Sequence, residues 1–338
     1  MGKAWLWAAD EGGCGWYRTR IVAEALRGLG HDVGQGVEYD PSYADADAVL
    51  GQRVCTPGPT TQWAGWNFAG AKTTVFDADD DYFHLSEHPE FGQSAFEYGQ
   101  SRIQARLLAN AFSSSYTACA TARIAELFSV YCNNTVVVPN GLPKRYLDRP
   151  GPWERSGFGV DRPVVGWAGS SFTQWELGDR VKSALSRVPD MGGVVHTVGV
   201  PYPVMKQLGM AQPGYRITGW VHGSEQYLDT VDFDVWVAPY RDTLYNQAKF
   251  PTKALEAAFL GIPIVASNTT PYRDFVIDGV TGYLIGPGDS WTEAVEDLVR
   301  HPATRRRMGE AARAEASRYT IEKIAADKWA PLLFGGKK

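Results

Sequence analysis

Four stretches of the chain bring together groups capable of acid, base or anion-binding chemistry. In Phe76-Asp77-Ala78-Asp79-Asp80-Asp81-Tyr82-Phe83-His84, four carboxylates fall within five residues. Like charges at that density repel, so some of them must meet a cation, a positive ligand or water. A D-x-D pair can hold a divalent ion through oxygen ligands, orient the hydroxyls of a sugar, or act as a base. A solvated acidic turn is the plainer reading of the same run.

The second stretch is Asn246-Gln247-Ala248-Lys249-Phe250-Pro251-Thr252-Lys253-Ala254-Leu255-Glu256. Pro251 fits the first position of a helix, which makes Phe250 an N-cap with no side-chain oxygen for the orphan N–H groups. Lys249 and Lys253 fall near the positive end of that helix, where cations are unfavourable. A bound anion removes both anomalies, because free N–H groups and two ammonium groups form a cradle for a diphosphate. Lys253 and Glu256 share one helix face, and Glu256 can accept hydrogen bonds from the two hydroxyls of a ribose. The competing reading is an amphipathic helix with a solvated Lys–Glu face. The remaining two stretches are small-residue turns: Asp10-Glu11-Gly12-Gly13-Cys14-Gly15-Trp16-Tyr17-Arg18, and Gly166-Trp167-Ala168-Gly169-Ser170-Ser171. Glycines there let the backbone turn sharply and leave N–H groups for an anion at the next helix start. Neither stretch matches G-x-G-x-x-G, so a dinucleotide site is not indicated.

These groups need elements to position them. Short apolar runs alternate with helical patterns from end to end, as in α/β folds built on parallel sheets. Strands are predicted near Ala4–Ala8, Asp47–Gly51, Thr73–Asp77, Ala111–Ser115 and Thr135–Val138, with helices over Tyr17–Leu29 and Ala95–Ala109. Turn formers concentrate in Pro139-Asn140-Gly141-Leu142-Pro143 and Arg149-Pro150-Gly151-Pro152, where a linker is placed. A second alternation follows, with strands at Val164–Gly169, Val194–Val198, Tyr215–Trp220, Asp234–Ala238, Ile262–Ala266 and Tyr283–Ile285. Its clearest helices are Lys253–Leu260 and Trp291–Val299. The reading is two Rossmann-like domains, 1–150 and 151–320, followed by a C-terminal helix over 321–338 that packs back toward the first. The carboxylate run and the turns fall beyond the carboxyl ends of strands, where open α/β sheets place ligands.

Composition narrows the function. With 33 Lys+Arg against 38 Asp+Glu, the net charge of −5 gives no basic face for nucleic acid. Apolar residues at 44% and charged residues at 21% describe an ordinary globular chain. No apolar run approaches the ~20 residues of a membrane span, and the short apolar start ending at Asp10 has no signal-peptide pattern. The expectation is a cytoplasmic protein without an integral membrane segment. The four cysteines (Cys14, Cys55, Cys119, Cys132) form no C-x-x-C pair, so neither a zinc site nor a disulfide framework is indicated. Twelve tryptophans are many for this length; Trp63, Trp66, Trp167 and Trp175 can stack on sugar rings, although buried packing accounts for most tryptophans.

Lys253–Ser267, Asp278-Gly279-Val280-Thr281-Gly282-Tyr283-Leu284 and Pro287-Gly288-Asp289 resemble the C-terminal half of retaining glycosyltransferases of family 4, which have the GT-B fold. The closer resemblance is to a branch found in bacterial surface-polysaccharide loci and phage genomes. That branch carries N-x-x-K-x-x-x-K-x-x-E (here Asn246, Lys249, Lys253, Glu256), an acidic D-x-D-D-D run (Asp77–Asp81) and a strand ending in G-x-x-G-S (Gly166–Ser170). Val138-Pro139-Asn140-Gly141 matches the family's V-x-P-N-G. The resemblance implies two Rossmann-like domains facing each other across a cleft, and transfer of a sugar from a nucleotide-diphosphate sugar, a UDP- or GDP-sugar, to a glycan or protein hydroxyl with retention. It implies a donor site of Gly13, Gly15, Arg18, Gly169, Ser170, Ser171, Asn246, Lys249, Lys253 and Glu256, with no obligatory cofactor or metal, although a divalent ion is compatible with the D-x-D pair. Asp77, Asp79, Asp80, Asp81 and His84 take the catalytic side, where many members carry a histidine. Glu256 matches the second glutamate of the family's E-x7-E motif; the first falls at Ala248 and is absent. The family's Arg/Lys pair after the first C-domain strand is also absent, and Ser170-Ser171-Phe172-Thr173 stands there. The alternative to an active transferase is a degenerate protein of the same fold that holds a nucleotide sugar without transferring it.

Overall fold

A computed structural model describes residues 1–70, 72–85, 92–159, 161–170 and 173–335. The chain forms two compact units. Unit 1 comprises Met1–Lys144, Gln247–Phe250 and Tyr319–Lys338; unit 2 comprises Arg145–Asn246 and Pro251–Arg318.

Unit 1 is built on β1 (Lys3–Trp7), β2 (Asp32–Gly36), β3 (Ala48–Gln52), β4 (Thr73–Ala78), β5 (Tyr116–Cys119) and β6 (Thr135–Val137). They form one sheet in the order β2-β1-β3-β4-β5-β6, with every neighbouring pair parallel. Parallel strands covered on both faces read as continuous apolar runs, and Ala4, Leu6, Val49, Leu50, Val75 and Phe76 are all fully buried. β2 has no such run. Its Gly34 lies against the rings of Trp5 and Tyr43, where a Cβ would come within 2.6 Å of both. The aromatic rings fill the space a side chain would take, so the strand carries no sequence signal.

Two expectations for this unit are corrected. Ala111–Ser115 is not a strand: the helix Ser101–Ser113 runs through Ala111, which it buries together with Leu107, and the strand begins at Tyr116. The long helix expected over Ala95–Ala109 is two helices, Gly92–Tyr98 and Ser101–Ser113, broken at Gly99 and Gln100. The end of the chain belongs to unit 1. Ile321 N–H donates to Leu142 O (2.9 Å) and Leu142 N–H to Tyr319 O (3.1 Å), while Phe334 stacks on His31 with ring centroids 4.1 Å apart.

Unit 2 repeats the plan with β7 (Val164–Ala168), β8 (Val194–Val198), β9 (Tyr215–Thr218), β10 (Val235–Ala238), β11 (Ile264–Ser267) and β12 (Gly282–Ile285). The order is β12-β11-β10-β7-β8-β9, again all parallel. Val165, Val195, Val235, Val237 and Val265 form its core with Leu185, Val295 and Leu298 from the covering helices. In each sheet the chain starts in the middle and proceeds first to one edge and then to the other. The switch points fall between β1 and β3 and between β7 and β10, and loops at such points bind ligands in open α/β sheets. The helix expected at Lys253–Leu260 spans Thr252–Phe259, and its N-cap is Pro251 rather than Phe250. No side chain caps it, as expected, because proline offers no side-chain oxygen either. Among the described residues no helix is long and apolar enough to cross a membrane.

Candidate functional site

Asp77 lies at the end of β4 and is buried, as is Arg18 on the helical segment that starts at Gly13. Arg18 Nε donates to both Asp77 oxygens at 3.1 Å, and Nη2 reaches Oδ1 at 2.5 Å. Nη1 donates to Val138 O at 2.7 Å and to Asn140 Oδ1 at 2.9 Å, and the guanidinium lies 5.0 Å from the Trp329 ring centroid. One arginine thus ties together the ends of β4 and β6 and the C-terminal segment. Burial pushes the Asp77 carboxyl up to about 6 even against the pull of the Arg18 charge; Arg18 is held in its charged form.

The rest of the carboxylate run divides by partner. Asp79 accepts from Gln52 Nε2 (2.7 Å) and from the Tyr82 hydroxyl (2.5 Å). Burial acts to raise its carboxyl, but the Arg53 charge and these two hydrogen bonds outweigh it and hold the group below the usual range. Asp80 pairs with Lys249 Nζ at 3.1 Å. Asp81 is buried and turns inward: its Oδ1 accepts from the backbone N–H of Phe83 (3.0 Å) and His84 (3.2 Å), and its Oδ2 lies 2.7 Å from His84 Nδ1. Asp77 and Asp81 therefore organise the loop, while Asp79 and Asp80 keep partial exposure.

Gly13 and Gly15 are not in a turn as expected but open the helical segment after β1, where Asp10 Oδ1 accepts from Gly12 N–H at 2.7 Å and Gly15 N–H at 3.3 Å. A Cβ at Gly15 would overlap the Asp10 carbonyl oxygen, whereas one at Gly13 would meet nothing within 4 Å. Arg53 at the end of β3 pairs with Asp10 and takes a left-handed backbone conformation, with φ at 40°. Ala248, where the family's first glutamate would stand, is fully buried, and its carbonyl accepts from Thr121 Oγ1 at 2.8 Å.

In unit 2, Glu256 projects from the helix that follows the uncapped Pro251 and is 2% exposed. Its Oε2 accepts from the Tyr227 hydroxyl at 2.9 Å and from Lys253 Nζ at 3.2 Å, and Lys253 Nζ also donates to the Tyr227 oxygen at 3.0 Å. An ammonium has three N–H donors, so this arrangement leaves one for an anion. Burial and the Glu256 charge keep the Tyr227 hydroxyl well above its ordinary pKa. Asn246 follows β10 and is fully buried. Its Nδ2 donates to Glu176 Oε1 (2.8 Å) and to Arg241 O (2.9 Å), while its Oδ1 has no partner. Glu176 Oε2 accepts from Arg241 N–H at 2.6 Å, so a single buried carboxylate joins the loops after β7 and β10. Gly169 and Ser170 follow β7, and a Cβ at Gly169 would overlap Thr173 Oγ1. Ser171 lies outside the described residues. Of the tryptophans singled out in the sequence, Trp63 and Trp167 are buried, Trp66 and Trp175 are half-buried, and the Arg241 guanidinium lies 4.5 Å from the Trp175 ring centroid.

The structure thus brings Arg18 and Asp77 together and joins Lys253 to Glu256. It sets Lys249 on Asp80 within unit 1. Gln52, Arg53, Tyr82, Tyr227 and Glu176 are the partners that sequence reasoning missed. Tyr227 stands 29 positions from Glu256 and Gln52 stands 27 from Asp79, with no spacing pattern to connect them. Glu176 falls within the stretch after β7, but a lone carboxylate there carries no signal. Among the described residues no group of three His, Cys, Asp or Glu side chains is placed to hold a metal ion.

Two all-parallel, six-stranded Rossmann-like sheets in one chain define the GT-B fold. Residues 226–315, which include Tyr227, Asn246, Lys253 and Glu256, match the family model "Glycosyl transferases group 1". The chain is 37% identical over 78 residues to D-inositol 3-phosphate glycosyltransferase of Corynebacterium diphtheriae, a segment covering 22% of this chain and 18% of that protein. In structure it is similar to sucrose-phosphate synthase of Thermosynechococcus elongatus, with TM-score 0.68, 15% identity and 96% of each chain covered. It is also similar to HepE of Anabaena in complex with UDP, with TM-score 0.68, 16% identity, and coverage of 98% of this chain and 99% of that one.

Proposed function

We propose that the protein is a glycosyltransferase that moves a sugar from a nucleotide-diphosphate sugar to a hydroxyl acceptor with retention of anomeric configuration. The observation that carries this reading is the Lys253–Glu256–Tyr227 cluster at an uncapped helix start, within the segment that matches the group 1 family model. Glu256 accepts from the ribose hydroxyls of the donor. Lys253 and the backbone N–H groups opening its helix face the diphosphate, and the small-residue turn at Gly169 and Ser170 is assigned to the same donor. In the transfer step the bond from the anomeric carbon to the diphosphate breaks with its electron pair staying on the diphosphate, the acceptor oxygen bonds to that carbon on the same face, and the hydroxyl proton passes to the departing diphosphate. Donors fixed in advance stabilise that charge without reorganising, and they require no metal. In unit 1, Asp79 and Asp80 orient the acceptor hydroxyl, while Arg18, Asp77, Asp81 and His84 hold their loop in shape. UDP bound to HepE supports a uridine donor.

A second reading rests on Ala248. With the family's first glutamate replaced by a buried alanine, the protein holds a nucleotide sugar without transferring it. One experiment separates the two. The purified protein is incubated with UDP- and GDP-sugars and an acceptor mixture of glycans and peptides, and both nucleotide release and glycosylated product are measured. Acceptor-dependent release that is lost in Glu256→Gln supports transfer. Donor binding without release supports the second reading, and neither binding nor release contradicts both.

A further inference from the structure

A cavity of about 470 Å³ opens in unit 2 at the amino ends of β7 and β10, lined by Arg155, Phe158, Arg162, Asp232, Asp234 and Arg305 among others. That volume lies within the ~300–1,000 Å³ of small-molecule sites. β7 has five residues, so at ~3.3 Å per residue the cavity is about 15 Å from the carboxyl ends where the proposed donor groups sit. Nothing in the proposed transfer uses it.

Its wall holds polar groups with unused capacity. Arg305 is 2% exposed. Its Nη1 donates to Leu298 O (2.6 Å) and Val299 O (2.9 Å) in the last turn of the helix Trp291–Arg300, a capping role for part of the guanidinium. Its Nε is buried out of reach of a ligand and has no partner, so the donors it offers the cavity are those of Nη2. Asp234 Oδ2 accepts from Val164 N–H at 2.8 Å, which leaves Oδ1 for another donor. Arg155 is exposed at the rim and donates through Nη1 to Asp232 O at 2.7 Å. Of the other charged lining groups, Asp161 adds a third carboxylate, and two are committed to partners outside the cavity. Asp232 accepts from Arg216 Nη2 (2.6 Å) and lies 2.7 Å from His196 Nδ1, and Arg162 donates to Gly192 O and Gly193 O. Two guanidinium groups with spare donors, beside a carboxylate with a spare oxygen, match an anion carried on a hydroxylated body.

We infer that this cavity is a second small-molecule site, for a phosphorylated polyol of hexose-phosphate size, with the phosphate on Arg305 and Arg155 and a hydroxyl on Asp234. The test is calorimetric titration of the full chain with glucose 6-phosphate, inorganic phosphate and glucose. Glucose 6-phosphate binds, phosphate binds more weakly and glucose does not bind. Saturating UDP leaves the glucose 6-phosphate affinity unchanged. Arg155→Ala, at an exposed position, and Arg305→Gln each weaken it at least tenfold, and thermal melts establish that each variant is folded. No binding of glucose 6-phosphate at millimolar concentration overturns the inference, leaving Arg305 as a helix cap only. Displacement by UDP, equal binding of glucose, or wild-type affinity in Arg155→Ala and in any folded Arg305→Gln overturns it as well.

Discussion

Replacing Asp77 with asparagine preserves the shape of the side chain and removes one charge from the centre of unit 1. The guanidinium it leaves behind is 1% exposed and keeps its bonds to Val138 O and Asn140 Oδ1, neither of which carries a full negative charge. A buried charge stripped of its partner in this way costs about 3–5 kcal/mol. In a unit of this size each 1 kcal/mol moves the melting midpoint by about 2–4 °C, so the unit 1 transition falls by roughly 6–20 °C. The assay is scanning calorimetry at pH 7.5. Arg18→Lys retains a charge but cannot span Asp77, Val138 and Asn140 together, and its midpoint falls between those of wild type and Asp77→Asn. A midpoint for Asp77→Asn within about 2 °C of wild type refutes the reasoning, because the buried arginine would then not depend on its counter-charge.

The carboxyl of Asp79 is held below the ordinary aspartate value of 3.8. Its contribution to stability is therefore complete above that value and is lost as pH falls through the folded-state pKa; Asp79→Asn flattens the acid limb of a urea stability curve measured between about pH 5 and pH 2. Gly15→Ala forces the Asp10 carbonyl aside and costs about 1–3 kcal/mol, whereas Gly13→Ala, with nothing within 4 Å of the new carbon, changes the melt little. Asn246→Leu leaves the buried Glu176 carboxylate with one donor fewer, and the loss of about 1–3 kcal/mol falls on the unit 2 transition in the same calorimetric scan.

Parallel strands covered on both faces are the easiest elements to read. β8 was expected at the residues where it is found, and β1, β3, β4 and β10 within one residue, because their apolar runs have a single function. Sequence reasoning failed where another residue supplies the packing. β2 is glycine-rich because Trp5 and Tyr43 occupy its side-chain space. Ala111–Ser115 imitates a short strand, since a few small apolar residues do not distinguish a buried strand from the buried face of a helix. The same limit applies to the site. The stretches at Asp77–Asp81 and Asn246–Glu256 stood out by composition and spacing. Their partners did not, because Tyr227, Gln52 and Glu176 reach them only through the order of the strands. The anomaly at the helix start was visible as a missing cap although the cap residue was misassigned, since phenylalanine and proline both lack the oxygen.

In the proposed function, unit 2 holds a nucleotide-diphosphate sugar through Glu256 and Lys253. Calorimetric titration of UDP and UDP-glucose into the wild type and Glu256→Gln tests it most directly. The amide retains an acceptor for Tyr227 and Lys253, so the fold survives while the charge proposed to face the ribose is lost. The account predicts saturable binding by the wild type and at least about tenfold weaker binding by a variant that melts close to it, corresponding to about 1.4 kcal/mol of lost interaction. Equal affinity in the two proteins, or no binding of either ligand to the wild type, would contradict it.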